Sequence, residues 1–180
     1  MPKITIIGNS ASGKSTLADL LSKHYKIPVH HLDLILWKKN WKKASEEQFT
    51  KKHDELVELN NWIIDGVGYT STFRARFNAA ELIIFLDTPI ELCRKWAEKR
   101  VKEEKDRPDP YITSYCLYDD MKEEQIEVIE HFEKEIKPML MELIEKYYIQ
   151  KTLTISLIDD LNNKDVFEHL IKEIESVKSW

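Results

Sequence analysis

The stretch GNSASGKST, Gly8 to Thr16, follows the apolar run Lys3-Ile4-Thr5-Ile6-Ile7 and precedes an amphipathic stretch that starts at Lys14. It fits G-x-x-x-x-G-K-[ST], with Gly8, Gly13, Lys14 and Ser15 at the fixed places. Its context fits as well: a strand delivers the loop and a helix leaves it, so successive backbone N–H groups and the helix N-terminus form one anion-binding concavity. Gly8 and Gly13 allow backbone conformations and close approach that a side chain forbids. Asn9, Ser10, Ala11 and Ser12 supply the loop's backbone, and Thr16 continues it into the helix. Lys14 is a point charge for the β- and γ-phosphates, and Ser15 offers a hydroxyl to Mg²⁺. The expected ligands are ATP and Mg²⁺.

Around this loop, 180 residues with 42% hydrophobic composition suffice for one domain, 1–180, with its own core. Short apolar runs alternate with longer helical patterns, the signature of an α/β fold with a parallel sheet covered by helices. Strands are expected over Lys3–Ile7, Trp62–Asp65, Glu81–Asp87 and Thr152–Leu157, with a more polar one over Val29–Asp33. Ser45 followed by Gln48, and Thr88 followed by Pro89 and Glu91, read as capping boxes that open helices. From about Asp119 to Tyr148, Ile126, Ile129, Phe132, Ile136, Leu140 and Leu143 share one face of a long acidic helix, or of two joined near Pro138, whose missing donor should bend or break it. No apolar run approaches the roughly 20 residues of a membrane helix. Two cysteines, Cys93 and Cys116, and no signal-peptide pattern point to a reduced, cytoplasmic setting.

A phosphate cradle leaves three outcomes open: switch, motor or kinase. A guanine switch needs N-K-x-D, but in Asn163-Lys164-Asp165-Val166 the aspartate stands one place early and Asn163 reads as a helix N-cap. Motors need more chain for coupling. A small kinase remains, moving the γ-phosphoryl group of ATP to a small-molecule acceptor. Asp33 closes the second strand, where ligands collect in open α/β sheets, and is the candidate to accept a proton from the acceptor or to orient it. Asp65 closes the third strand and is the candidate to hold Mg²⁺ through a water opposite Ser15. Asp87 closes a strand too, but a helix starts directly after it, so a structural capping role is at least as fitting.

Together with the loop, "IPVHHLDLILW" (Ile27–Trp37), "WIIDG" (Trp62–Gly66) and "LIIFLDTP" (Leu82–Pro89) resemble the adenylate-kinase-related P-loop proteins known as DNA topology modulation proteins. That resemblance implies the nucleoside monophosphate kinase fold, a five-stranded parallel sheet between helices with an arginine-bearing lid. By the same resemblance the lid falls at about 100–118, where Arg100 and Arg107 would contact the phosphates, with Arg94 a less direct candidate. The acceptor-binding segment falls at about 34–60, with Trp37 in it, and Arg74 and Arg76 would hold the acceptor. Asn162 would lie over the adenine. In place of the group's D-G-N-Y the chain reads Asp65-Gly66-Val67-Gly68-Tyr69.

Lys38, Lys39, Lys42 and Lys43 interleave with Trp37 and Trp41, a pattern that can track and stack on a nucleic acid. A nucleotide-dependent DNA-binding or regulatory protein is therefore the rival reading. The net charge of −5 and the lack of any other basic stretch favour instead a solvated rim on the acceptor segment. His30 and His31, adjacent on a strand, face opposite ways and do not chelate one ion together.

Overall fold

The computed structural model describes residues 2–104, 122–156 and 163–177. Strand β1 (Lys3–Gly8) is central in a five-stranded sheet of order β2-β5-β1-β6-β7, built with β2 (Val29–His31), β5 (Trp62–Asp65), β6 (Leu82–Leu86) and β7 (Thr152–Ile155). All four pairings are parallel. A parallel sheet needs cover on both faces, which is why the central strands β1, β5 and β6 are buried at consecutive positions. On one face Ile7, Trp62, Ile64, Ile83 and Phe85 pack with Phe49 of α3 (Glu46–Val57), Phe73 and Phe77 of α4 (Phe73–Ala79), and Leu140 of α7 (Lys137–Tyr147). On the other, Ile4, Ile6, Ile63, Ile84 and Leu86 pack with Leu17 and Leu21 of α1 (Lys14–Tyr25) and with Leu170 and Ile174 of α8 (Lys164–Val177). Neighbours such as Ile63 and Ile64 face opposite ways, as the two-residue strand period requires.

Three departures from the sequence reading have local causes. Strand β2 stops at His31, and Asp33 lies in the first turn of the short helix α2 (Leu32–Leu36), because Leu32 and Leu36, four apart, both turn into the core. Thr88 caps nothing: its hydroxyl donates to the Ser12 carbonyl at 3.3 Å. The Pro89 carbonyl accepts the first bonds of α5 (Ile90–Glu104) from the Leu92 and Cys93 amides. The long acidic segment is two helices joined near Pro138, as read: α6 (Lys122–His131) runs through a π-turn at Phe132–Ile136 into α7. The wider turn, closed by Lys137 N–H on the Phe132 carbonyl, absorbs the donor that proline lacks. Finally, Trp37–Lys38 and Lys42–Lys43 form a small antiparallel hairpin, β3 and β4. The Ser45 and Asn163 caps stand as read, accepting from Gln48 N and Asp165 N.

A phosphate cradle as the candidate active site

β1 ends at Gly8 beside Leu86 of β6. A Cβ on Gly8 would stand 2.5 Å from the Leu86 carbonyl oxygen, so only glycine lets the loop leave the sheet there. Ala11 and Gly13 both have positive φ, 56° and 91°, and this left-handed pair turns the chain back into α1. Alternating backbone hands of this kind build the concave run of N–H groups that binds anions. The loop is fastened from outside. Thr88 holds the Ser12 carbonyl, and the Asn9 amide donates to the Ile129 carbonyl of α6 at 3.0 Å. Asn9 also takes the Ser10 N–H on its Oδ1 at 2.7 Å. The Ser12 hydroxyl is buried with no hydrogen-bond partner among the described residues, an orphan polar atom inside the cradle that a phosphate oxygen would satisfy.

Lys14 lies half-buried at the head of α1, its Nζ donating to the Asn9 carbonyl at 2.5 Å. Burial lowers its pKa, the charges of Asp33 and Asp65 push it back up, and Arg100 lowers it further. One residue on, Ser15 Oγ donates to Asp65 Oδ2 at 2.7 Å. Asp65 is only 2% exposed. Its other oxygen, Oδ1, meets His31 Nδ1 at 2.6 Å, and His31 Nε2 faces Asp19 Oδ1 at 3.5 Å. For His31, burial disfavours the charge, but the Asp65 hydrogen bond and the charges of Asp65, Asp19 and Asp33 outweigh it and raise the pKa. A hard cation such as Mg²⁺ takes oxygen ligands and keeps several of its own waters. The Ser15 hydroxyl and the Asp65 carboxylate at the foot of a phosphate cradle suit it.

Arg76 is wholly buried. Burial pulls its pKa down to about 9 against the opposing charge of Asp65. Its Nη2 donates to the Val67 carbonyl at 3.3 Å and its plane lies over Phe73 and Phe77. Its Nε and Nη1 have no hydrogen-bond partner among the described residues. His53, on α3, feels the charge of Arg76; burial foremost keeps its pKa low.

The charges of Asp33, Asp65 and Arg100 thus all bear on Lys14, and that of Asp65 also on Arg76. Arg74 is exposed and stacks on the Tyr147 ring at 4.9 Å. Arg94 pairs with Glu130 on the surface. Asp87 pairs with Lys137 at 2.7 Å, the structural fate expected of it, through an ion pair rather than a cap. Trp37 packs against Trp41 and, with it, against Val101 of α5, while Lys43 lies over its ring. Arg107, Asn162 and the expected lid beyond residue 104 lie outside the described residues. Sequence reasoning passed over three site residues: Asn9 as a latch, Thr88 as a buttress and His31 as the partner of Asp65. None of the three left a local signal: His31 and Asp65 come side by side only through the parallel pairing of β2 with β5.

The strand order, the cradle after β1 and the Ser15–Asp65 pair define a P-loop kinase-like nucleotide-binding fold. Residues 1–151 match the family described as chromatin associated protein KTI12, and the chain belongs to that family. The likeness of fold to P-loop kinases expected from the sequence stands, and KTI12 takes the place of the topology-modulation group. Among solved structures, shikimate kinase from Acinetobacter baumannii in complex with shikimate aligns with TM-score 0.56 and 17% identity over 100% of this chain and 96% of that one. A gluconokinase from Sinorhizobium meliloti 1021 aligns with TM-score 0.54 and 13% identity over 98% and 95%. At such identities the likeness is one of fold. Comparison with curated proteins by sequence finds no match.

Proposed function

We propose that the protein is an ATP- and Mg²⁺-dependent phosphotransferase acting on a small-molecule acceptor. The observation that carries this reading is the convergence on one loop of Lys14, the Ser15–Asp65 pair and, within the field of Lys14, Asp33 and Arg100. In this reading the loop from Gly8 to Thr16 holds the phosphates through its backbone, and Lys14 exchanges the Asn9 carbonyl for phosphate oxygens. Mg²⁺, when bound, supplies charge neutralisation on those oxygens, with Ser15 and Asp65 as its holders. Arg100 stabilises negative charge as it grows on the transferred group, and Arg107 is proposed to join it from the lid. Asp33 accepts the proton of the acceptor hydroxyl or orients the acceptor. Arg76, whose Nε and Nη1 have no hydrogen-bond partner among the described residues, is proposed to hold it, and Trp37 borders it. Asn162 is assigned to the adenine.

A second reading has its own observation: Lys38, Lys39, Lys42 and Lys43 are all exposed on the β3–β4 hairpin, and the family is described as chromatin associated. A nucleotide-dependent, nucleic-acid-associated regulator would use that hairpin. One experiment separates the two: a screen of small-molecule acceptors with γ-labelled ATP, beside DNA titrations at several salt concentrations. Label transfer to a small molecule, with DNA binding weak and fading steeply as salt rises, is the expected result. No transfer, with salt-resistant DNA binding that disappears on neutralising the four lysines, would replace the first reading with the second.

A further inference from the structure

Asp65 is a buried carboxylate, and its ionised form exposes acceptor sites on both oxygens that need donors in the interior. Ser15 supplies one, on Oδ2. His31 supplies the other, on Oδ1, at 2.6 Å. The terminal torsion of an aspartate is broad and roughly two-fold, so the plane of this carboxylate is set by its partners rather than by its own rotamer. The ring of His31 is itself held at both ends, between Asp65 on β5 and Asp19 on α1, the helix that carries Lys14 and Ser15.

Resting on the nucleotide–metal reading above, we propose that His31 is a positioning residue. Its Nδ1–H holds Oδ1 of Asp65 so that Oδ2 stays turned to Ser15 and to the ion that pair would hold. Without a donor at Oδ1 the carboxylate is free to rotate about its last bond, and the Ser15 hydroxyl then loses a fixed acceptor. Outer partners that orient the groups around a bound metal typically change its affinity by roughly 10- to 100-fold when removed, and Asp65, read as meeting the ion through a water, is such a group. A histidine that merely tied β2 to β5 would change stability and leave that affinity alone.

The test is Mn²⁺ binding to the full-length protein saturated with ADP, read by electron paramagnetic resonance, beside calorimetric titration of metal-free ADP and thermal melts. In His31→Ala, Mn²⁺ affinity should fall roughly 10- to 100-fold while metal-free ADP affinity stays within about two-fold of wild type. His31→Asn puts an amide N–H near the place of Nδ1 and should recover most of the loss. His31→Gln puts its amide near Nε2 and should not. The Asn and Gln pair carries the test even if the alanine variant fails to fold. Equal Mn²⁺ affinity in Asn and Gln variants, or losses of metal-free ADP affinity matching those of Mn²⁺, would overturn the proposal. Wild-type protein that binds no ADP would instead overturn the nucleotide reading, and this one with it.

Discussion

Lys14 is held on a carbonyl of its own loop and carries a pKa lowered by burial, two features of a cation waiting for a better partner. Phosphate oxygens are that partner. Lys14→Ala should therefore weaken ATP–Mg²⁺ binding strongly or abolish turnover while leaving the thermal unfolding midpoint close to wild type. Equal affinity and turnover in both proteins by calorimetry and label transfer would remove the cradle's role. Residues of this kind were legible in the sequence, because the chemistry of a phosphate loop is local: Gly8, Gly13, Lys14 and Ser15 stand within eight consecutive positions. His31 was not. Its meaning depends on a residue 34 positions away, and a histidine beside another histidine on a strand says nothing about what lies across the sheet. Arg74 and Arg76 read alike in the sequence, yet two positions apart on a helix they point to different surroundings. One stacks on an exposed tyrosine and the other is buried near Asp65.

Elements whose boundaries depend on their own side chains, such as the Ser45 and Asn163 caps, read correctly. Those decided by a distant competitor did not. Thr88 could have capped α5 but bonds the cradle instead, and Val29–Asp33 loses its end to the pull of Leu32 and Leu36 into the core. The π-turn before Pro138 has no sequence signal beyond the proline itself. It lies one residue beyond the end of α6, the helix whose Ile129 carbonyl takes the Asn9 amide. Both partners of that bond are buried, at 1% and 0% exposure. Asn9→Ala leaves the Ser10 amide and the Ile129 carbonyl short of a partner, and should cost about 1–3 kcal/mol of stability. Denaturant unfolding measures this; an unchanged midpoint would show that the latch does not support the loop.

Over the whole molecule, the parallel sheet gathers the carboxyl ends of β1, β2 and β5 at one edge, and with them the cradle, His31 and Asp65. This much of the plan was readable, since alternating apolar runs and helical patterns dictate a covered parallel sheet. No described helix is long and apolar enough to cross a membrane. The kinase account places Asp33 on the acceptor side and the cradle on the ATP side, so the two functions should separate in one variant. Asp33→Asn preserves shape and removes charge and basicity. The direct measurement is γ-phosphoryl transfer to the acceptor identified in the screen, compared with ATP affinity and a thermal melt of the same protein. ATP affinity and melting temperature should match wild type while transfer falls by roughly two to four orders of magnitude, the contribution of a general base. Transfer at the wild-type rate would contradict the account and leave Asp33 as a residue of the α2 turn alone.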